Sequence, residues 1–138
     1  MQPILKATEK ACAALVTSIA TTNNLVVNVY TGIGNQDKDA PACICIAESG
    51  REEFPNSGIY HVVTRIQVKE MAKDTDVNSS LATTIFSGIL TDTISNDLIN
   101  TGPNYFVYDV FIQDVRDGHE DDAWVQEYVL DIVCATSP

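Results

Sequence analysis

The fold is decided by residues 104–134, which read NYFVYDVFIQDV, then RDGHEDDA, then WVQEYVLDIVC. The two outer runs are rich in aromatic and β-branched residues, which suit a pleated, half-buried strand. The polar segment between them contains Asp117-Gly118, and glycine readily adopts the positive φ that a tight turn requires. The sequence therefore predicts an antiparallel hairpin that turns at Asp117-Gly118 and supplies the last two strands.

Strand periodicity predicts which side chains of this hairpin share a face. In the second run one face is largely apolar, whereas the other alternates valine with acidic residues, so one side is expected to cover a core and the other to be partly exposed. The first run is apolar on both faces, which indicates an inner strand or a strand that a partner subunit buries. Alternation predicts one outward apolar face, formed by Tyr105, Val107, Phe111, Val125, Val129 and Val133.

The rest of the chain completes an α+β pattern. Apolar residues at helical spacing predict one helix over residues 3–20 and another from 81 that stops at 100–103. Alternation or β-branched runs predict strands at 25–30, 42–47 and 59–69. The glycine-rich residues 31–41 lack the remainder of a phosphate-binding motif and are predicted to form a hairpin loop. The order α-β-β-β-α-β-β predicts a single domain over residues 1–138, with a mainly antiparallel sheet covered on one face by two helices.

The composition is strongly acidic, with 19 acids against 8 bases and a net charge of −11. Because nucleic-acid binding depends on Lys and Arg that neutralise phosphates, this charge argues against ordinary DNA or RNA binding, and equally against anionic membranes. No apolar run approaches the ~20 residues of a membrane span, and no secretory signal is recognised, so assembly in a cytoplasm is expected. The acidity concentrates in a predicted acidic loop, which contains Asp114, Asp117, Glu120, Asp121 and Asp122.

Four cysteines, at positions 12, 43, 45 and 134, are expected to be small buried side chains. Cys43 and Cys45 point the same way from a strand and are poorly placed to bond each other. A zinc site would require closer pairing with histidines. Disulfides between the subunits of an assembled particle remain the main alternative.

The residues that carry catalytic chemistry do not form a recognisable constellation. His61 lies on the polar face of a predicted strand, His119 lies among carboxylates, and neither has a nucleophile motif beside it. The acids of the predicted loop lack the spacing of a helix-loop-helix calcium site, so at most a weakly held ion is expected there. The sequence predicts no catalytic residue, no cofactor and no metal ligand, and an enzyme is the least favoured class.

With this element order, the chain resembles the tail terminator (tail completion) proteins of tailed bacteriophages. The likeness is carried by the N-terminal helix PILKATEKACAALVTSI, the meander over residues 25–69, the helix from 81 and the last hairpin. It is a likeness of order and length rather than of an invariant motif. It implies a structural virion protein that forms a ring, commonly a hexamer, at the head-proximal end of the tail tube, where it ends tube growth and joins the tail to the neck.

The resemblance also implies the partners: further copies of the chain, the tail tube protein, and neck or connector proteins, with DNA passing through without specific binding. An outward apolar sheet face is an association liability unless a neighbour covers it, so the six residues of that face are predicted to form the contact between copies. An acidic channel surface is expected to repel DNA and let it slide. Two alternatives remain, namely another phage neck, connector or head-completion protein, and a monomeric acidic adaptor or inhibitor.

Overall fold

The computed structural model describes residues 4–35, 38–39, 41–71, 80–89, 105–120 and 123–136. The predicted α+β class and element order are confirmed. In chain order the elements are helix α1 (Ile4–Thr22), strand β1 (Asn28–Thr31), a 3-10 turn (Ile33–Asn35), strands β2 (Ala42–Glu52) and β3 (Tyr60–Met71), helix α2 (Ser80–Ile89), and strands β4 (Tyr105–Glu120) and β5 (Ala123–Thr136). The predicted continuation of the second helix beyond residue 89 lies outside the described residues.

The five strands form one sheet in the order β1-β2-β3-β5-β4. Three neighbouring pairs are antiparallel, but β1 and β2 are parallel, with Asn28 opposite Ala42 and Thr31 opposite Cys45. The prediction of a hairpin loop over residues 31–41 is therefore wrong. A four-residue strand spans only ~13 Å. The ten residues between β1 and β2 are therefore enough to return the chain to the end of the sheet where β1 begins. A glycine-rich segment can form either this return or a hairpin, so glycine content does not distinguish the two.

Both helices cover one side of the sheet, which we call the helix face. Leu15 and Val16 of α1 and Ile85 and Phe86 of α2 are buried there against alternate residues of the central strands. The Phe86 ring stacks on Tyr128 with 3.8 Å between ring centroids and 14° between planes. The strand residues of this core are Cys43, Cys45, Ala47, Val62, Ile66, Val68, Tyr105, Val107, Leu130, Ile132 and Cys134.

Gly88 of α2 lies against Ile19 of α1. A Cβ added to Gly88 would lie 2.8 Å from Cδ1 of Ile19 in α1, closer than real Cβ atoms come to their neighbours. Glycine weakens a helix in isolation. Here its missing side chain provides the space that the Ile19 side chain fills, which only the packed structure reveals.

All four cysteines are free and buried, which confirms the prediction of small buried side chains. Burial, the largest cause, raises the pKa of the Cys12 and Cys134 thiols. A hydrogen bond with Cys43 and then burial raise the pKa of Cys45. The raised pKa values of Cys12, Cys45 and Cys134 disfavour the thiolate, which is the form that reacts with oxidants and binds metals.

The hairpin of β4 and β5 is longer than predicted. Asp117 and Gly118 do not form its turn, because they lie within β4 opposite Gln126 and Val125. The strand continues to Glu120, and only residues 121 and 122 separate it from β5. Glycine permits a turn but does not impose one, and here a ladder of fourteen cross-strand pairs runs through Gly118 and continues to Glu120.

The predicted acidic loop is corrected by the same finding. Asp114, Asp117 and Glu120 lie in β4 rather than in a loop. Asp121 and Asp122 lie outside the described residues. The acidity of this region therefore belongs mostly to a strand at the edge of the sheet.

Candidate functional site: the open face and the β4 edge

The side of the sheet opposite the helices, which we call the open face, carries a polar centre. Glu127 of β5 is 6% exposed, and its carboxylate accepts hydrogen bonds from three donors on both neighbouring strands. Gln67 Nε2 lies 2.6 Å from Oε2, Arg65 Nη1 lies 3.4 Å from the same oxygen, and Arg116 Nη1 lies 3.3 Å from Oε1. A buried carboxylate requires such partners, because desolvation of an unpaired charge is costly.

This centre extends into a chain of alternating charges across four strands. On one side, Arg65 Nε lies 2.6 Å from Glu48 of β2, an ion pair without hydrogen-bond alignment. On the other side, Arg116 Nε donates a 2.8 Å hydrogen bond to exposed Asp114. That bond and the Val115 N–H lower the pKa of Asp114. We call the series Glu48–Arg65–Glu127–Arg116–Asp114 the charge ladder; it holds β4 and β5 in register with the centre of the sheet.

A shallow cavity of about 150 Å³ lies beside the ladder. His61 Nδ1 lies 3.1 Å from Asp131 Oδ2, and His61 Nε2 lies 3.9 Å from Glu53 Oε1. Both ring nitrogens therefore face carboxylates, whereas a nucleophilic mechanism would direct one of them at a hydroxyl or thiol. The cavity is lined by Ser49, Gly50, Arg51, His61, Val63, Gln113 and Asp131.

The structure gives His61 a role in joining strands. Its bond to Asp131 links β3 to β5. The side chain of His119 is outside the described set. Among the residues that the structure describes, no group of three or more His, Cys, Asp or Glu side chains could hold a metal ion.

The six residues of the predicted outward face do not share one face. Tyr105 and Val107 are 5% and 4% exposed and belong to the core under the helices. Phe111 is opposite Asp131 on the open face and is 50% exposed. The remaining three, Val125, Val129 and Val133, are on the open face, the last two buried and the first half-buried.

The error has an identifiable cause. The register of β4 shifts between Val107 and Asp109 and again between Ile112 and Asp114, so Tyr108 and Gln113 are bulge residues. Each bulge inserts one residue and reverses the alternation that follows it. Strict period-two counting therefore assigned Phe111 to the same face as Tyr105 and Val107. The prediction that this strand contacts another copy is independent of that error and stays a prediction.

The structure instead places a different set of exposed apolar residues on β4, an edge strand of the described sheet. We call this set the β4 patch; its members, each 45–60% exposed, are Phe106, Tyr108, Phe111, Ile112 and Val115. Phe106 and Phe111 lie on the open face, whereas Ile112 and Val115 lie on the helix side, where they remain half exposed.

A five-residue repeat in the sequence accompanies this patch. Residues 106–110 read FVYDV and residues 111–115 read FIQDV. Each copy has phenylalanine on the open face, a bulge at the third position and aspartate at the fourth. The N–H of Val110 donates to Asp109 Oδ1 at 2.8 Å, and the N–H of Val115 donates to Asp114 Oδ1 at 2.9 Å. This repeat was the signal by which sequence reasoning could have found the bulges.

The opposite edge of the sheet carries a second, smaller apolar set. Val26 and Ile33 flank β1 and are 86% and 69% exposed. Beside them, Lys38 Nζ lies 5.3 Å from the centroid of the Tyr30 ring. We call Val26 and Ile33 the β1 patch. The two patches lie at different edges and differ in composition, so they are two distinct surfaces.

No protein-family model matches the chain, and no curated protein matches it significantly. None of the described helices is long and apolar enough to cross a membrane. An assignment of function therefore depends on the geometry of the described residues.

Proposed function

We propose that this protein is a structural virion subunit that forms a ring of identical copies at the head-proximal end of a phage tail tube. The observation that carries the proposal is the β4 patch, because five large apolar side chains stand exposed on one edge strand of the described sheet. A protomer on its own rarely exposes such a patch unless a partner covers it. A ring of identical copies, which is commonly hexameric in tail terminators, supplies that partner in the form of a second copy.

The size of the patch fits a protein contact. Its three half-exposed aromatic side chains alone offer roughly 300 Å² of apolar surface. A standard interface buries ~800 Å² on each partner. Ile112 and Val115 lie on the other side of the strand, so a partner that wraps around the β4 edge would add their area to that of the rings. Aromatic residues are enriched in protein interfaces.

The position of the two patches favours a ring over a two-fold dimer. A head-to-tail contact requires two different surfaces on each copy, and it closes into a ring when the rotation between copies permits. The β4 patch and the β1 patch provide such surfaces at opposite edges of the sheet. Exposed Asp109, Asp114 and Asp117 accompany the first patch, and Lys38, which Asp39 follows, accompanies the second, so Lys38 can pair with a carboxylate of the first patch across the proposed contact.

The acidity of the chain suits passage of DNA without binding. A net charge of −11 gives a ring of six copies a strongly negative surface, which repels phosphates. The partners in this role are the tail tube protein on one side and neck or connector proteins on the other. The site of action is the virion.

The proposal is tested by measuring assembly with and without the tail tube. The wild-type chain is added to growing tail tubes, and native mass spectrometry and electron microscopy are used to detect a ring and tubes of limited length. In the Phe106→Ser/Phe111→Ser variant the chain is expected to remain a 15.0 kDa protomer. Phe54→Ser is the matched control, because Phe54 is 59% exposed but lies in neither patch.

Three outcomes contradict the proposal. A wild-type chain that remains a protomer even on tail tubes points to the adaptor or inhibitor alternative. A ring that binds a connector but leaves tube length unlimited points to a different neck or head-completion protein. Equal assembly by the wild-type chain and the double variant removes the β4 patch from the contact.

A further inference from the structure

The edge of β4 presents a choice between two modes of contact. An exposed edge strand normally invites another strand to pair with its free N–H and C=O groups. A ring could therefore close by continuing the sheet from copy to copy. The five-residue repeat of β4 determines whether a strand of a neighbouring copy can pair with this edge.

The two bulges make the edge a poor template. Tyr108 and Gln113 are extra residues without a cross-strand partner, five positions apart. Bulges bend a strand and increase its twist, so a straight incoming strand cannot follow the edge through them. Only four residues, 109–112, lie between the two bulges. Residues 114–120 pair with β5 without a further bulge, and there the exposed charged side chains of Asp114, Arg116 and Asp117 oppose strand addition.

The carboxylates that follow each bulge occupy the backbone donors. The Val110 and Val115 N–H groups donate to Asp109 Oδ1 and Asp114 Oδ1. A backbone donor that is already bonded to a carboxylate is less available to the carbonyl groups of an added strand. The same carboxylates would also have to lose water against the carbonyl oxygens of an incoming strand, which is costly.

A similar combination of a bulge and a carboxylate bonded to a backbone N–H is present towards the other edge of the sheet. β1 pairs only with residues 42–45 of β2, so within the described part of the chain the rest of β2 has a strand partner on one side, β3. There the N–H of Ala47 donates to Glu9 Oε2 of α1 at 3.0 Å, and a bulge follows at Glu48. Bulges and carboxylate-capped donors therefore occur together at both edges, which argues that these edges avoid strand addition.

We infer that neighbouring copies contact β4 through the side chains of the β4 patch and that the sheet does not continue from one copy to the next. The partner is a second copy of this chain, so the inference rests on the proposed ring. The β1 patch with Lys38 is the complementary surface, since its exposed aliphatic groups can pack on the phenylalanine rings while the lysine faces Asp109 and Asp114. The carboxylates thus have two tasks, closing the strand edge and attracting the basic side chain.

Hydrogen exchange followed by NMR tests the mode of contact. The exchange of the Val110 and Val115 amides is measured in the protomer and in the assembled ring. Contact through side chains predicts burial of the phenylalanine rings and no run of newly protected alternate amides along β4. A run of newly protected alternate amides on assembly would show strand addition and overturn the inference while leaving the ring intact.

Two double variants test whether Asp109 and Asp114 prevent strand addition at the β4 edge, and this test does not depend on ring formation. Asp109→Ala/Asp114→Ala removes both acceptors and is expected to convert the protein into extended, thioflavin-binding assemblies. Asp109→Asn/Asp114→Asn keeps an acceptor oxygen at each position and is the matched control, expected to resist such assembly as the wild-type chain does. If the alanine variant resists it equally, the carboxylates do not protect the edge and the inference fails. Absence of a ring in every variant would instead contradict the proposed function.

Discussion

The hydroxyl of Tyr105 donates a hydrogen bond of 3.0 Å to Thr8 Oγ1, which joins the first residue of β4 to helix α1. Thr8 Oγ1 in turn donates to the Ile4 carbonyl at 2.8 Å and lies 3.7 Å from Cys134 Sγ. Burial raises the pKa of Tyr105, so the hydroxyl remains a donor. A side chain predicted to face a neighbouring copy is thus a polar anchor within the core of the protomer.

Loss of this hydroxyl is expected to destabilise the protomer without affecting assembly. Tyr105→Phe keeps the ring and removes one buried hydrogen bond, at a cost of about 1 kcal/mol in the free energy of unfolding. Urea denaturation followed by the fluorescence of Trp124 measures this cost. Tyr108→Phe is the control, because that side chain is 60% exposed and its change should leave the urea midpoint unaltered. A smaller ring population in Tyr105→Phe at full folding would contradict the placement of Tyr105 in the core.

Glu127 is expected to be the most sensitive member of the charge ladder. Glu127→Ala leaves Arg65, Arg116 and Gln67 without their shared acceptor, and removal of one partner from a buried pair costs about 3 kcal/mol. Asp114→Asn changes the exposed end of the same ladder and is expected to leave the urea midpoint nearly unchanged. Equal loss of stability in both variants would show that the ladder is no stronger at its centre than at its rim.

The titration of Asp114 provides a test of its contact with Arg116. The Arg116 hydrogen bond, as the largest cause, holds the pKa of Asp114 below its ordinary value of 3.8. A lowered folded-state pKa contributes stability that is present above the unfolded-state pKa and is lost as pH falls through the folded-state value. In Arg116→Gln the pKa of Asp114, measured by carbon-13 NMR, is expected to rise. An identical titration in both proteins would contradict the contact.

Gly88→Ala is expected to destabilise the packing of α1 on α2. Alanine improves intrinsic helix propensity by about 1 kcal/mol, but the added Cβ lies within 3.1 Å of three atoms of Ile19, and overpacking costs about 1–3 kcal/mol. Gly88→Ala is therefore expected to lower the urea midpoint. In an Ile19→Ala background, where the space beside residue 88 is vacant, the same substitution is expected to raise the midpoint. Gly118→Ala is the control, since nothing lies within 4 Å of its added Cβ. A stabilised Gly88→Ala single variant would show that the helices adjust freely.

The class of the fold was predictable because it depends on local periodicity. The helical spacing of residues such as Leu15 and Val16, and the alternation of Val62, Thr64 and Ile66, are properties of short segments. The end of α1 was also predictable from nearby residues, since Asn24 adopts a φ of 55° and the Leu25 N–H donates to the Ala20 carbonyl. These features require no knowledge of distant residues.

The surface of β4 was less predictable, because a bulge shifts every residue after it to the other face. Tyr105, Val107 and Phe111 are at odd positions, yet the bulge at Tyr108 separates the first two from the third. The repeat FVYDV–FIQDV carried the information. Recognising it would have required knowing that aspartate after a bulge accepts the next N–H.

The amino-acid sequence by itself determined the α+β class, the order of the elements, the burial of the four cysteines and the apolar character of the last hairpin, because each follows from neighbours along the chain. Only the tertiary structure decided that β1 runs parallel to β2, that Asp117-Gly118 continues a strand, and that Glu127 is the centre of a charge ladder. Those outcomes depend on pairing between strands distant in sequence, where the combined free energy of many cross-strand contacts overrides the preference of a single turn residue or a single alternating run.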